Sequence, residues 1–199
     1  MMNKKNILLL FFFMVLVSCS AQKQNTMKTF DIETFEKNKI DNEYKIVTKD
    51  STIIKQGLWH SGYEEIISYK GSYIQTYNKY YKTGILKLTG DFYSNDFEKG
   101  VWKEYDEQGN LIKETDYDAP YKFTWEDVLK LIKERKIDMS HEQFRVIRGS
   151  SEKGTSWAIV YDKPKTHDKL GVINIDGITG KITREAEIDY PADGDYDDE

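Results

Sequence analysis

From residue 44 onward, apolar and polar positions alternate in short runs. YKIVTKD, STIIKQG, LWHSGYEEIISYKG, SYIQTYNKYY, ILKLTGDFY, GVWKEYD and NLIKETDY are aromatic, β-branched and separated by Gly, Asn and Asp. That pattern predicts the strands of an antiparallel meander. It breaks at Asp118-Ala119-Pro120, where Pro120 biases Ala119 away from helix. The period then lengthens. Trp125, Val128, Leu129 and Ile132 make one dry helical face, with Thr124 as N-cap and Asp127 completing a capping pattern. Lys133, Arg135 and Lys136 follow near the helix C-terminus, where the dipole favours cations. Three strand-like runs come next, FRVIRG, SWAIVYD and LGVINID, and Gly149-Ser150-Ser151 reads as a loop between two of them. A tight turn at Asp176-Gly177-Ile178-Thr179-Gly180 then leads into KITREAEI. Before the meander, Phe30 to Ile40 reads as a short helix with Asp31 as N-cap and Phe35 packing inward.

The predicted fold class is therefore mainly β with an α+β C-terminal part. An antiparallel hairpin sheet occupies 42–118, and a small helix-plus-antiparallel-sheet domain occupies 120–190.

Two segments of the meander are copies. Tyr77 aligns with Trp102, Tyr80 with Tyr105, Gly84 with Gly109, Leu86 with Leu111, Asp91 with Asp116 and Phe92 with Tyr117, all at an offset of 25 residues. The unit is an aromatic strand, a turn with Gly, and a second strand ending in an aromatic. The Gly supplies the positive φ that a tight hairpin needs, and the Leu after it is expected on the core side. Leu88 falls on Lys113, so the inward alternation is not kept throughout. Gly57-Leu58-Trp59 echoes Gly100-Val101-Trp102, as a degenerate earlier copy would.

The pattern of Gly100, Trp102, Tyr105, Gly109 and Leu111 resembles the MORN-type repeat, in the variant of bacterial antitoxin-like and lipoprotein sequences, over about residues 57–118. The resemblance implies a ribbon of β-hairpins with a binding face and implies no catalysis. The helix, the strands and the D-G-x-T-G-K-I turn over about 122–188 resemble the PepSY-like domains of exported bacterial proteins, binding or inhibitory modules without catalytic residues.

The first residues stand apart from the fold. Lys4 and Lys5 precede an unbroken apolar run from Ile7 to Val17, too short to span a bilayer comfortably. The run ends in Leu16-Val17-Ser18-Cys19, which resembles a bacterial lipobox. An ordinary secretory signal or a lone buried Cys is the plainer alternative. The lipobox implies removal of residues 1–18 and diacylation of Cys19, and two acyl chains anchor stably. Residues 19–41 are then a tether and the short helix. Ser20 to Met27 carries no acidic run after the Cys, which favours a periplasm-facing position over the cell surface.

Charge and residue inventory narrow the function. The formal net charge is −5, and loss of Lys4 and Lys5 would make it −7 (−5 − 2). With no basic stripe, nucleic acid is excluded as a partner. Cys19 is the sole cysteine, so acylation leaves no thiol for disulfides, metal or catalysis. His60, His141 and His167 lie far apart and form no metal pair. Glu64 and Glu65 are neighbours in a strand and cannot converge, and Asp106-Glu107 lies in a hairpin turn. The tail at 191–199 has alternating acids but lacks the glycine of a calcium loop and reads as a solvated acidic tail. No catalytic residue, metal or cofactor is expected.

The aromatics carry the remaining interest. Trp59, Tyr77, Tyr80, Trp102 and Tyr105 are the candidate binding residues, either packed in the core or exposed on one sheet face. The expectation is a non-enzymatic, lipid-anchored protein of the bacterial envelope. It would bind an envelope or toxin-like protein in an immunity or antitoxin-like role and meet the membrane through Cys19. The alternative is a structural envelope protein that binds lipid or glycan through an aromatic sheet face.

Overall fold

The computed structural model of the chain describes residues 28–93, 97–152, 154–163 and 169–190. The lipobox with Cys19, the tether, His167 and the acidic tail lie outside the described residues. Seven strands form one antiparallel meander in sequence order: β1 (Glu43–Val47), β2 (Ile53–Trp59), β3 (Gly62–Ser68), β4 (Ile74–Tyr81), β5 (Leu86–Tyr93), β6 (Phe97–Tyr105) and β7 (Leu111–Asp116). A second antiparallel sheet has the order β11 (Ile182–Asp189), β10 (Lys169–Asp176), β9 (Gly154–Asp162), β8 (Arg145–Ser151). Helix α1 (Ile32–Asn38) precedes the first sheet, and α2 (Trp125–Glu134) stands between the sheets in sequence. The fold is thus mainly β with an α+β C-terminal part.

The repeat is literal in the hydrogen bonding. The amide of Gly84 donates to Tyr81 O at 2.9 Å, and that of Gly109 donates to Asp106 O at 3.0 Å. Both glycines have positive φ, 83° and 86°. Each hairpin carries a bulge one step before its turn, with Tyr80 opposite Leu86 in one and Tyr105 opposite Leu111 in the other. Tyr77 faces Gly90 as Trp102 faces Thr115, so the 25-residue offset survives as identical register.

The structure corrects four expectations. Leu86 is buried, but Leu111 is 49% exposed, because β7 is the sheet edge and nothing described covers it. LWHSGYEEIISYKG is two strands, since Trp59 pairs with Gly62 around a turn at His60-Ser61. The echo at Gly57 is not a third unit: Trp59 ends its strand at that turn, whereas Trp102 lies mid-strand. Gly149-Ser150-Ser151 also proves to be strand rather than loop, with Gly149 paired to Ser156 and Ser151 to Gly154.

Alternation gives the first sheet two faces. One face carries both hydrophobic clusters. At the hairpin end, the N-terminal segment lies across it: Phe30 N donates to Gly84 O, Phe30 stacks on Tyr63 at 4.5 Å, and Phe35 is fully buried. Asp31 caps α1 by accepting from Thr34 N at 3.0 Å. Residues 28–40 therefore belong to the fold and not to a tether. At the other end, Tyr93 and Phe97 enter the core of the second sheet with Trp125, Val128, Ile132 and Trp157.

Arg148 ties the two sheets. Its side chain donates to Asp118 Oδ1 at 2.6 Å and to Glu98 O, and its guanidinium lies 5.0, 4.8 and 5.6 Å from the Phe97, Tyr121 and Trp157 rings. The capping box of α2 is complete, with Asp127 N donating to Thr124 Oγ1 and Thr124 N to Asp127 Oδ2. The D-G-x-T-G-K turn is structural. Asp176 accepts from the Ile178 and Thr179 amides, and Gly177 O accepts from Lys122 and Phe123.

The duplicated turn predicts matched sensitivity. Gly109→Ala should cost about 1 kcal/mol for its left-handed backbone. Gly84→Ala should cost more, because its Cβ would also press on Phe30 O at 3.1 Å. Urea unfolding of both variants checks this; an unchanged midpoint for either contradicts the shared turn.

Candidate functional site

The site is the second face of the seven-stranded sheet. Register places Trp59, Glu64, Ile66, Tyr77, Lys79, Leu88, Gly90, Phe92, Glu98, Trp102 and Glu104 on it. Among the described residues, no element packs over it.

Glu64 and Glu65 show how the two faces diverge. Glu65 points to the covered face and is 6% exposed. It accepts from Lys28 Nζ at 2.6 Å, Gln56 at 3.0 Å, Asn78 at 3.1 Å and Tyr80 Oη at 3.1 Å. Burial would raise its pKa, but these donors and the Lys28 charge outweigh burial and hold it below the ordinary 4.5. Glu64 points the other way and accepts from Tyr77 Oη at 2.8 Å. Burial first, and Glu64 second, push the Tyr77 phenol well above the ordinary tyrosine range.

The five candidate aromatics are split by the same alternation. Trp59, Tyr77 and Trp102 share the open face and are half-buried. Tyr80 is withdrawn as a binding residue: it is fully buried beneath Phe30, with its hydroxyl on Glu65. Tyr105 is withdrawn too, because it packs against the cluster of Phe30, Phe35, Tyr80 and Leu86. The odd spacing of Tyr77 to Tyr80, like that of Trp102 to Tyr105, turns the two rings to opposite sides.

On the open face the rings form a connected row. Tyr77 and Trp102 are 6.3 Å apart and lean together over Gly90, where a Cβ would collide with the Trp102 ring at 2.2 Å. Phe92 meets Tyr77 edge-on at 6.1 Å, and Tyr117 meets Trp102 at 5.9 Å. A cleft of about 360 Å³ opens among Glu64, Ile66, Tyr77, Phe92, Glu98 and Trp102, with Phe97 reaching its edge from the core. Toward the hairpin end, the Lys79 and Lys87 ammonium groups sit 4.6 and 4.9 Å from the Trp59 ring.

Sequence reading missed Phe92, Glu64, Glu98, Lys79 and Lys87 as members of this face. Lys79 was within reach by alternation, two residues from Tyr77. Glu98 required the cross-strand register.

The remaining candidates assemble nothing chemical. His60 is exposed in a turn against Trp59, and His141 Nδ1 accepts from Gln143 N. Asp106 is satisfied within its turn by Gln108 and Asn110. Among the described residues, no group of three or more His, Cys, Asp or Glu could hold a metal, and no helix is long and apolar enough to cross a membrane. No protein-family model, no curated protein and no solved structure matches the chain.

The Glu65 cluster predicts a pH dependence. A carboxylate whose folded pKa is lowered stabilises above the unfolded value and loses that contribution as pH falls through the folded one. Urea midpoints of the wild type should thus fall faster below pH 4.5 than those of Glu65→Gln. Parallel curves from pH 7 to pH 3 would show that Glu65 is not the anchor.

Proposed function

We propose that this chain is a lipid-anchored lipoprotein of the bacterial envelope, periplasm-facing, that binds a protein partner on the open face of its first sheet and performs no catalysis. One observation carries this reading: both hydrophobic clusters use one face of the sheet, while a connected row of Tyr77, Trp102 and Tyr117, with Trp59 linked to Tyr77 through Lys79, is left on the other. Aromatic rings with neighbouring charges of both signs are what a specific protein contact uses for anchoring and register. The anchor rests on Leu16-Val17-Ser18-Cys19, and the immunity or antitoxin-like role rests on the resemblance to MORN-type repeats.

The acidic surplus does not sit on this face, where Glu64, Glu98 and Glu104 are matched by Lys79, Lys87 and Lys113. A partner surface of mixed charge therefore fits better than a uniformly basic one. Lipid or glycan binding through the same rings is the competing function. The carboxylates beside the rings, exposed at Glu98 and half-buried at Glu64, disfavour an anionic lipid surface.

Tagged protein, solubilised in detergent, should retain one stoichiometric partner, and Trp59→Ala with Tyr77→Ala should weaken that capture at least ~10-fold. Recovery of only phospholipid and abundant porins would defeat the proposal. Palmitate labelling should vanish in Cys19→Ala. That variant should also stay unbound in liposome flotation, whereas flotation through the aromatic face would favour the lipid reading.

A further inference from the structure

The cleft between Tyr77 and Trp102 has a composition that selects its occupant. Three of its walls are π-faces or ring edges, from Tyr77, Phe92 and Trp102. Its rims are two carboxylates from different strands, Glu64 on β3 and Glu98 on β6. Neither carboxylate has an ion-pair partner among the described residues, whereas Glu104 on the same face is paired with Lys113 at 2.9 Å. Tyr77 Oη holds Glu64 in place from the side, which leaves its second oxygen for a ligand.

We infer that the cleft is a receptor for a single arginine side chain presented by the protein partner, with the guanidinium stacked against Tyr77 and Trp102 and neutralised by Glu64 and Glu98. This rests on the open face being a protein-binding surface.

Three physical points favour arginine. The cleft, about 360 Å³, admits one long side chain and not a folded element. A planar guanidinium satisfies rings and carboxylates together, since it stacks on the first and donates in a fork to the second. The chain already shows both halves of this chemistry elsewhere. Arg148 stacks among Phe97, Tyr121 and Trp157 while donating to Asp118, and Lys79 and Lys87 lie over Trp59. Lys79 also lies 5.5 Å from the Tyr77 ring and is the cation that an incoming side chain must share the ring with. Gly90 lets the Trp102 ring lie down against the sheet as a wall of the cleft, because any side chain there would strike it.

The test uses the full chain in detergent with Nα-acetyl-arginine methylamide as probe and the glutamine analogue as neutral control. The Trp102 indole N–H resonance is followed by NMR. The arginine probe should give a saturable shift, the glutamine analogue none, and Glu64→Gln should weaken the arginine titration by about tenfold, the equivalent of about 1.4 kcal/mol. Glu64→Gln keeps the side-chain shape, and an unchanged Trp102 resonance in the free variant verifies that the face is intact. Equal shifts from both probes, no shift, or a titration unaffected by Glu64→Gln would overturn the inference. Partner capture separates the two proposals. Capture lost in Trp59→Ala with Tyr77→Ala but kept in Glu64→Gln leaves the binding face standing and removes the arginine receptor. Capture indifferent to both removes the face itself.

Discussion

A buried carboxylate organises this protein. Glu65 sits in the middle of a sheet face where an unpaired charge would be costly, so it must be surrounded by donors. Gln56, Asn78 and Tyr80 come from strands that are already its neighbours, but Lys28 arrives from outside the sheet. Drawing in Lys28 lays the N-terminal segment across β3 to β5, where Phe30 and Phe35 then bury Tyr80 and Leu86. The segment from Lys28 through α1 is thus fastened to the sheet by a charge pair and a hydrophobic cluster together.

The opposite face follows from the same strand geometry. Side chains alternate, so whatever β3 gives to Glu65 it denies to Glu64. One residue of offset separates a structural anchor from a groove residue, and an odd offset of three separates Tyr77 from Tyr80. With both the N-terminal segment and the second sheet packed on the Glu65 side, the rings of the other side are covered by no further element among the described residues and meet only one another and side chains of their own sheet. Ile46, Ile54 and Ile67 lie half-buried between the two clusters on the covered side, so coverage there is uneven as well.

The fold was legible in the sequence because its signals are local. The change of period at Pro120, the Thr124-Asp127 cap and the glycine turns each act over a few residues, and each is found in the structure. The 25-residue repeat was legible because register and sequence offset coincide. What could not be read was which face would be covered. Alternation alone sets Tyr80 opposite to Tyr77 and Tyr105 opposite to Trp102, but only the structure shows the N-terminal segment and the second sheet packing on the Tyr80 side. Leu111 was misplaced for a related reason: a repeat copies the strand, but an edge strand loses the neighbour that would bury it. Glu98 joins Glu64 across strands far apart in sequence, and only their register brings them to one groove.

The central proposal is that the Trp59–Tyr77–Trp102 side of the sheet is the surface that meets a protein partner. The most direct test places a photo-cross-linking amino acid at Leu88, on that side, and separately at Ile178, in the exposed turn of the second sheet. Irradiation of intact cells should give one discrete heavier adduct from position 88 and none from position 178. No adduct from position 88, or the same adducts from both positions, would contradict the account.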